Sequence, residues 1–174
     1  VVMPSGMYCC ILGSSSGKAY NKNFNKIENK TLIRGESIPD GAYHLVSEIV
    51  VKHTDGSYLL MQRDFRKHHG GKWKLTAGGS ALQGEDELEA AVRELKEETG
   101  LSGEMKEIGR AVRHDHHSFY VVYLCEADFE KDSIVLQEGE TIGYKWVDKE
   151  TMFKLDGNEL ASSRTLEIVK KLDL

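Results

Sequence analysis

Gly78-Gly79-Ser80-Ala81-Leu82-Gln83-Gly84-Glu85-Asp86-Glu87-Leu88-Glu89-Ala90-Ala91-Val92-Arg93-Glu94-Leu95-Lys96-Glu97-Glu98-Thr99-Gly100-Leu101 is the stretch on which the fold of this 174-residue chain turns. From Glu85 to Thr99 there is neither Gly nor Pro, and strong helix formers dominate. The pattern predicts a helix over 85–99, with Gly79 and Gly84 shaping the loop before it and Gly100 ending it. At about 100° per residue, Leu88, Val92, Leu95 and Thr99 share one face, expected to meet a core. Glu94, Glu97 and Glu98 gather on nearly the opposite face.

Such a cluster is costly on its own. Carboxylates three and four residues apart on a helix lie about 5–6 Å from one another, so each like-charge pair costs on the order of 3 kcal/mol at an effective dielectric near 20. Solvation relieves most of that on an open face, and a Glu-rich, solvated helix surface is the plain reading. Two features favour a ligand instead. Ala90 and Ala91 lie on or beside the acidic face, where small side chains admit an approaching group. Arg93 stands one turn before Glu97, placed to hold it in one rotamer. Hard oxygen ligands in this arrangement suit Mg²⁺ or Mn²⁺, and the cation cancels the repulsion.

The stretch resembles the Nudix box, G-x5-E-x7-R-E-U-x-E-E-x-G-U with U an apolar residue, at every fixed position. The matching residues are Gly79, Glu85, Arg93, Glu94, Leu95, Glu97, Glu98, Gly100 and Leu101. The resemblance implies an α/β fold, a Nudix-type α/β/α sandwich with a mixed β-sheet between helices. It implies a metal-dependent hydrolase that cleaves the phosphoanhydride of a nucleoside diphosphate linked to another group, by attack of metal-activated water on phosphorus. Glu94, Glu97 and Glu98 are then expected to hold Mg²⁺ (or Mn²⁺), with the Gly78 carbonyl as a further ligand. Arg93 orients the carboxylates, and Glu85 supports the loop-to-helix geometry or ligates an outer metal. The proton of the water goes to Glu98 or to Glu140, which stands several places before Trp146-Val147, with Glu138 as the alternative to Glu140. Two other readings remain open. Tyr43-His44-Leu45-Val46, Trp73 and Gly78-Gly79 resemble isopentenyl diphosphate isomerases, although the cysteine expected near the strand before the box is missing. A non-catalytic Nudix-fold nucleotide sensor is the other, although such proteins typically lose box carboxylates and this chain keeps all of them.

Composition sets the frame for these expectations. One domain of ordinary size accommodates the length, and 40% hydrophobic with 29% charged residues describes a soluble globular chain. A net charge of −5, without a basic face or a Lys/Arg run, argues against broad nucleic-acid or membrane-surface binding. Cys9, Cys10 and Cys125 are too few and too oddly placed for a disulfide framework or a zinc site, and fit a reducing cytoplasm. No apolar run reaches the length of a membrane span. The expected partners are a small-molecule diphosphate and a second copy of the chain in a homodimer.

Residues 1–17, with the linker-like Gly13-Ser14-Ser15-Ser16-Gly17, read as an N-terminal extension or expression remnant, and 18–174 as the Nudix hydrolase domain. An Asn-rich turn over 20–26 leads to a short strand over 30–35. Residues 43–53 and 57–63 form a hairpin around Asp55-Gly56. The basic, glycine-containing segment 64–72 follows. Arg63, at the end of the strand leading into it, is a candidate for bidentate contact with a substrate phosphate, and Lys72 and Gly79 are further substrate-binding candidates. Strands are expected over 105–112 and 118–127, joined by His114-Asp115-His116-His117, a polar turn rather than a metal site. Asp148 caps a short helix, and a last helix runs over 158–172 with Leu166, Val169 and Leu172 on one side.

Overall fold

A computed structural model of the chain describes residues 16–33 and 36–174, so the reading of residues 1–15 lies outside the described residues. The elements are β1 (Ser16–Tyr20), β2 (Lys26–Ile33), β3 (His44–His53), β4 (Tyr58–Arg63), β5 (Trp73–Lys74), β6 (Thr76–Ser80), α1 (Glu87–Thr99), β7 (Met105–Arg113), β8 (Ser118–Ala127), β9 (Thr141–Val147), α2 (Lys149–Lys154) and α3 (Arg164–Leu172).

The expected hairpin forms at Asp55-Gly56. Gly56 takes the positive φ (92°) that the turn needs, and the Asp55 carboxylate accepts from the Ser57 amide at 2.9 Å. Its strands then separate. β3 and β4 share one paired position, Lys52 opposite Tyr58, and diverge beyond it. β3 pairs antiparallel with β6, Val46 opposite Ser80 through Val50 opposite Thr76, and parallel with β8 along its whole length. β7 pairs antiparallel with β8. β4 pairs antiparallel with β5 and β9. The result is one mixed, forked sheet of seven strands.

Alternation along the central strands supplies a core on each face. Leu45, Ile49 and Val51 of β3, Leu59 and Met61 of β4, and Phe119, Val121 and Tyr123 of β8 pack beneath Ala90, Ala91 and Leu95 of α1. The intervening residues Val50, Tyr58, Leu60, Val122 and Leu124 pack beneath Met152 of α2 and Leu166 and Val169 of α3. This is the α/β/α sandwich with a mixed sheet. Among the described residues no helix is long and apolar enough to cross a membrane.

β1 and β2 make a separate two-stranded sheet. Ser16 and Gly17 pair with Ile33 and Leu32, so this sheet begins two residues before the expected boundary at Lys18. It touches the box directly: the Lys18 ammonium donates to the Gly84 and Glu85 carbonyls at 3.1 and 2.8 Å. The C-terminal helix starts later than its periodicity suggests, at Arg164 rather than 158. Asp156 instead accepts from the Asn158 amide at 2.7 Å, a side-chain bond that competes with helix. The following segment runs beside β5, with the Trp73 amide donating to the Glu159 carbonyl and the Ala161 amide to the Trp73 carbonyl, both at 2.9 Å.

Candidate active site

α1 is fixed at both ends. Asp86 accepts from the Glu89 amide at 2.8 Å while the Glu89 carboxylate accepts from the Asp86 amide at 2.9 Å, a reciprocal capping box. Gly100 closes the helix in the left-handed conformation at φ 75°.

The faces of α1 differ from the helical-wheel expectation. Leu88 and Val92 are 47% and 50% exposed, whereas Ala90, Ala91, Glu94, Leu95, Glu98 and Thr99 are buried. The acidic stripe therefore lies largely against the protein, and the two alanines let α1 sit close to β3 and β6. Ser47 of β3 donates to the Glu87 carbonyl at 2.7 Å, tying the helix start to the sheet. Glu94 and Glu98 retain 1% and 2% exposure, while Glu97 stays partly exposed.

Burying two carboxylates one turn apart is tolerable only with cations beside them. Arg93 serves the first. Its Nε and Nη2 donate to Glu85 at 2.6 and 3.0 Å, its Nη1 to Glu94 at 2.7 Å and to Glu97 at 3.0 Å, and Nη2 also to the Ser80 carbonyl at 3.1 Å. Glu85 in turn accepts from the Leu82 amide at 2.8 Å, locking the loop that leads into the helix. Burial pushes the Glu94 carboxyl up to about 7, against the pull of Arg93 and with a further push from Glu98 and Glu97. Lys74 of β5 serves the second carboxylate. Its ammonium donates to both Glu98 oxygens, at 2.9 and 3.1 Å.

Gly79 makes room for the Glu94 carboxylate. A Cβ there would stand 2.6 Å from Glu94 Oε1 and 2.8 Å from the other carboxylate atoms, so the missing methyl is the space Glu94 occupies. At Gly78 (φ 147°) a Cβ would fall 2.2 Å from the Ser47 carbonyl oxygen, because β6 lies tightly on β3 there. Among the described residues no three His, Cys, Asp or Glu side chains already stand in a ligating arrangement. The carboxylates of α1 are turned to Arg93 and Lys74 instead.

The other candidates sit farther out. Glu140 is joined to Lys67, and its carbonyl accepts from the Asp64 amide at 2.9 Å, so it belongs to the 64–72 segment rather than to the Arg93 network. Glu138 adds a weaker field at Arg66. Arg63 donates from Nε to the His68 carbonyl at 2.9 Å, and Lys72 to the Gly157 carbonyl at 2.6 Å, so both are engaged with backbone. The histidines of the β7–β8 turn are not gathered for a metal: His114 Nδ1 meets the Tyr43 hydroxyl at 2.8 Å and His117 stacks on the Tyr43 ring.

Lys74 is the site residue that the sequence reading passed over. Its signal was local: a lysine between Trp73 and Leu75, in a segment extended enough to put it on the side opposite to theirs.

The NUDIX domain model matches residues 42–167. The chain is 32% identical over 134 residues to an uncharacterized Nudix hydrolase of Listeria innocua serovar 6a, covering 76% of this chain and 79% of that one. It is 33% identical over 92 residues to an isopentenyl-diphosphate Delta-isomerase of Serratia proteamaculans, covering 47% and 51%. Among solved structures, DR0079 of Deinococcus radiodurans superposes with a TM-score of 0.71 at 18% identity, over 90% of this chain and 98% of that one, a likeness of fold. The family match spans the helix whose carboxylates Arg93 and Lys74 hold, and with the Listeria relative it establishes that the chain belongs to the Nudix hydrolase family, whose members generally use divalent metal ions.

Proposed function

We propose that the protein is a Mg²⁺- or Mn²⁺-dependent hydrolase of the phosphoanhydride in a nucleoside diphosphate linked to another group, working at Glu94, Glu97 and Glu98. The observation that carries this is the burial of two carboxylates one turn apart, one of them seated in the space that Gly79 leaves. A helix surface that only needed solubility would leave these groups in water.

The donor set fits a hard divalent cation: carboxylate oxygens from one helix, with Glu94 raised chiefly by its burial and further by the neighbouring Glu98 and Glu97. The Gly78 carbonyl is the further ligand proposed, and Glu85 stays with Arg93 as the brace of the loop. When bound, such an ion neutralises diphosphate charge and renders a coordinated water acidic. The protein's own groups do the rest. Arg93 keeps Glu94 and Glu97 in place on one side of the helix. Glu98, buried beside Glu94, takes the proton of the attacking water. Glu140, held by Lys67, is the alternative acceptor proposed. Arg63 and Lys72 are the cations proposed to meet substrate phosphates, Lys72 by leaving the Gly157 carbonyl.

A panel of diphosphate-linked compounds with Mg²⁺ or Mn²⁺, products identified by mass and the oxygen traced isotopically, tests the reading. Hydrolysis is expected in wild type, and Glu98→Gln is expected to lose about 10²- to 10⁴-fold while keeping the wild-type circular dichroism spectrum. Nucleotide binding without product across the panel would favour a sensor. Double-bond migration in isopentenyl diphosphate would favour the isomerase reading, for which residues 64–78 supply no cysteine.

A further inference from the structure

We infer that Lys74 is the resident counter-ion of Glu98, a group that a divalent cation has to displace before Glu98 can ligate it, so that this lysine sets the metal affinity of the site. The inference rests on the metal-site reading above and concerns a residue outside the box.

Lys74 reaches Glu98 from a different branch of the sheet. It lies on β5, which pairs with β4, whereas α1 packs over β3 and β6. Its ammonium sits 2.9 and 3.1 Å from the two oxygens of Glu98, spanning the carboxylate rather than one corner of it. Both partners are shielded: the side chains of Lys74 and Glu98 are 13% and 3% exposed. A divalent ion binding in the carboxylate plane of Glu98 claims the same lone pairs at about 2.0–2.1 Å. The two cations cannot occupy that position together, and in so sheltered a place their repulsion is weakly screened. The neighbouring carboxylates differ in this respect. Glu94 and Glu97 meet Arg93 through Nη1 alone, at 2.7 and 3.0 Å, and Arg93 keeps its other nitrogens on Glu85 and the Ser80 carbonyl. An ion that takes the oxygens held by Nη1 on Glu94 and Glu97 therefore leaves Arg93 anchored on Glu85 and the Ser80 carbonyl, whereas it gains Glu98 only by moving Lys74. Lys74 offsets the burial of Glu98 by pairing with both of its oxygens.

Mn²⁺ titration followed by electron paramagnetic resonance, on wild type, Lys74→Met, Lys74→Arg, Glu98→Gln, Glu94→Gln and the Lys74→Met/Glu98→Gln double variant, tests this at one fixed pH. Lys74→Met is expected to bind Mn²⁺ ten-fold or more tightly than wild type, Lys74→Arg within about three-fold of wild type, and the double variant to lose the gain. Metal-free Lys74→Met is expected to melt below wild type and to recover more on adding Mn²⁺. If Lys74→Met does not hold its fold without metal, Lys74→Gln carries the same expectation. Equal Mn²⁺ affinity in Lys74→Met and wild type, with Glu98→Gln weakened, overturns the counter-ion role and leaves the metal site standing. Wild-type affinity in both Glu98→Gln and Glu94→Gln overturns the metal-site reading itself.

Discussion

Gly79→Ala is the substitution whose effect follows most directly from the geometry. Its added methyl would stand 2.6 Å from Glu94 Oε1, where ordinary contact begins at 3.4 Å, so the carboxylate must retreat by about 0.8 Å. A flexible side chain would swing aside at little cost, but Glu94 is 1% exposed and held at 2.7 Å by Arg93 Nη1. Overpacking and a lost or stretched charge-assisted hydrogen bond together predict a destabilisation of about 2–4 kcal/mol. For a chain of this size that lowers the melting temperature by roughly 5–15 °C. Displacement of a reacting-site group by nearly 1 Å predicts a fall in kcat of about 10²-fold. Scanning calorimetry and hydrolysis of the best substrate from the panel measure the two effects. Gly157→Ala and Gly84→Ala serve as controls. Neither meets an atom within 4 Å, so the first should be neutral, and the second should pay only for its φ of 97°, about 1 kcal/mol, without touching Glu94. A Gly79→Ala protein with wild-type melting, turnover and Mn²⁺ affinity would refute the claim that Gly79 is the space Glu94 needs.

Two further outcomes are expected. Arg93→Lys replaces a planar fork serving Glu85, Glu94, Glu97 and the Ser80 carbonyl by a single ammonium. It should cost about 2–4 kcal/mol in urea denaturation and roughly 10- to 100-fold in kcat; a variant indistinguishable from wild type in both would show that the fork orients nothing. The second concerns pH. Burial raises the Glu94 carboxyl from the ordinary 4.5 to about 7, so between those values the folded chain binds a proton that the unfolded chain has lost. The contribution is fully present below about pH 4.5 and is lost as pH rises through 7, up to about 3 kcal/mol, while Mn²⁺ affinity rises across the same window because the proton and the metal compete. Denaturation and Mn²⁺ titrations at several pH values, on wild type and Glu94→Gln, check it; the same pH slope in the variant would assign the effect to other groups.

The helix, its cap glycine and its carboxylates were legible because each is a local signal: an unbroken run of helix formers, Gly100 after Thr99, Glu residues at turn spacing. The orientation of that helix was not. A helical wheel ranks Leu88 and Val92 as core and the glutamates as surface; the structure leaves those two apolar residues 47% and 50% exposed and buries Glu94 and Glu98, while Leu95, Thr99 and Glu97 lie as the wheel ranks them. The burial of those two glutamates depends on cations that no periodicity reports. One of them, Arg93, was visible because it is local to the helix, but Lys74 lies 24 residues from Glu98 and meets it only after β5 and α1 are brought together. The hairpin at Asp55-Gly56 was likewise readable, yet its divergence after one paired position was not, since a turn specifies its own two strands and says nothing of later competitors for their edges. At the C-terminus the periodicity of 158–172 overran the true helix, because Asp156 and the neighbouring β5 offered the backbone other partners.

The divergence of β3 and β4 has a bearing on how the chain comes apart. One prong of the fork holds β3, β6, β7 and β8, and the other holds β4, β5 and β9, so the polypeptide passes from the first to the second, back, and across once more. No cut of the chain yields a contiguous fragment containing one prong and nothing of the other. Neither prong can be excised as one contiguous fragment. The protein is expected to lose its structure in one cooperative transition rather than strand by strand, with amide exchange in β4 and β8 reporting the same opening free energy.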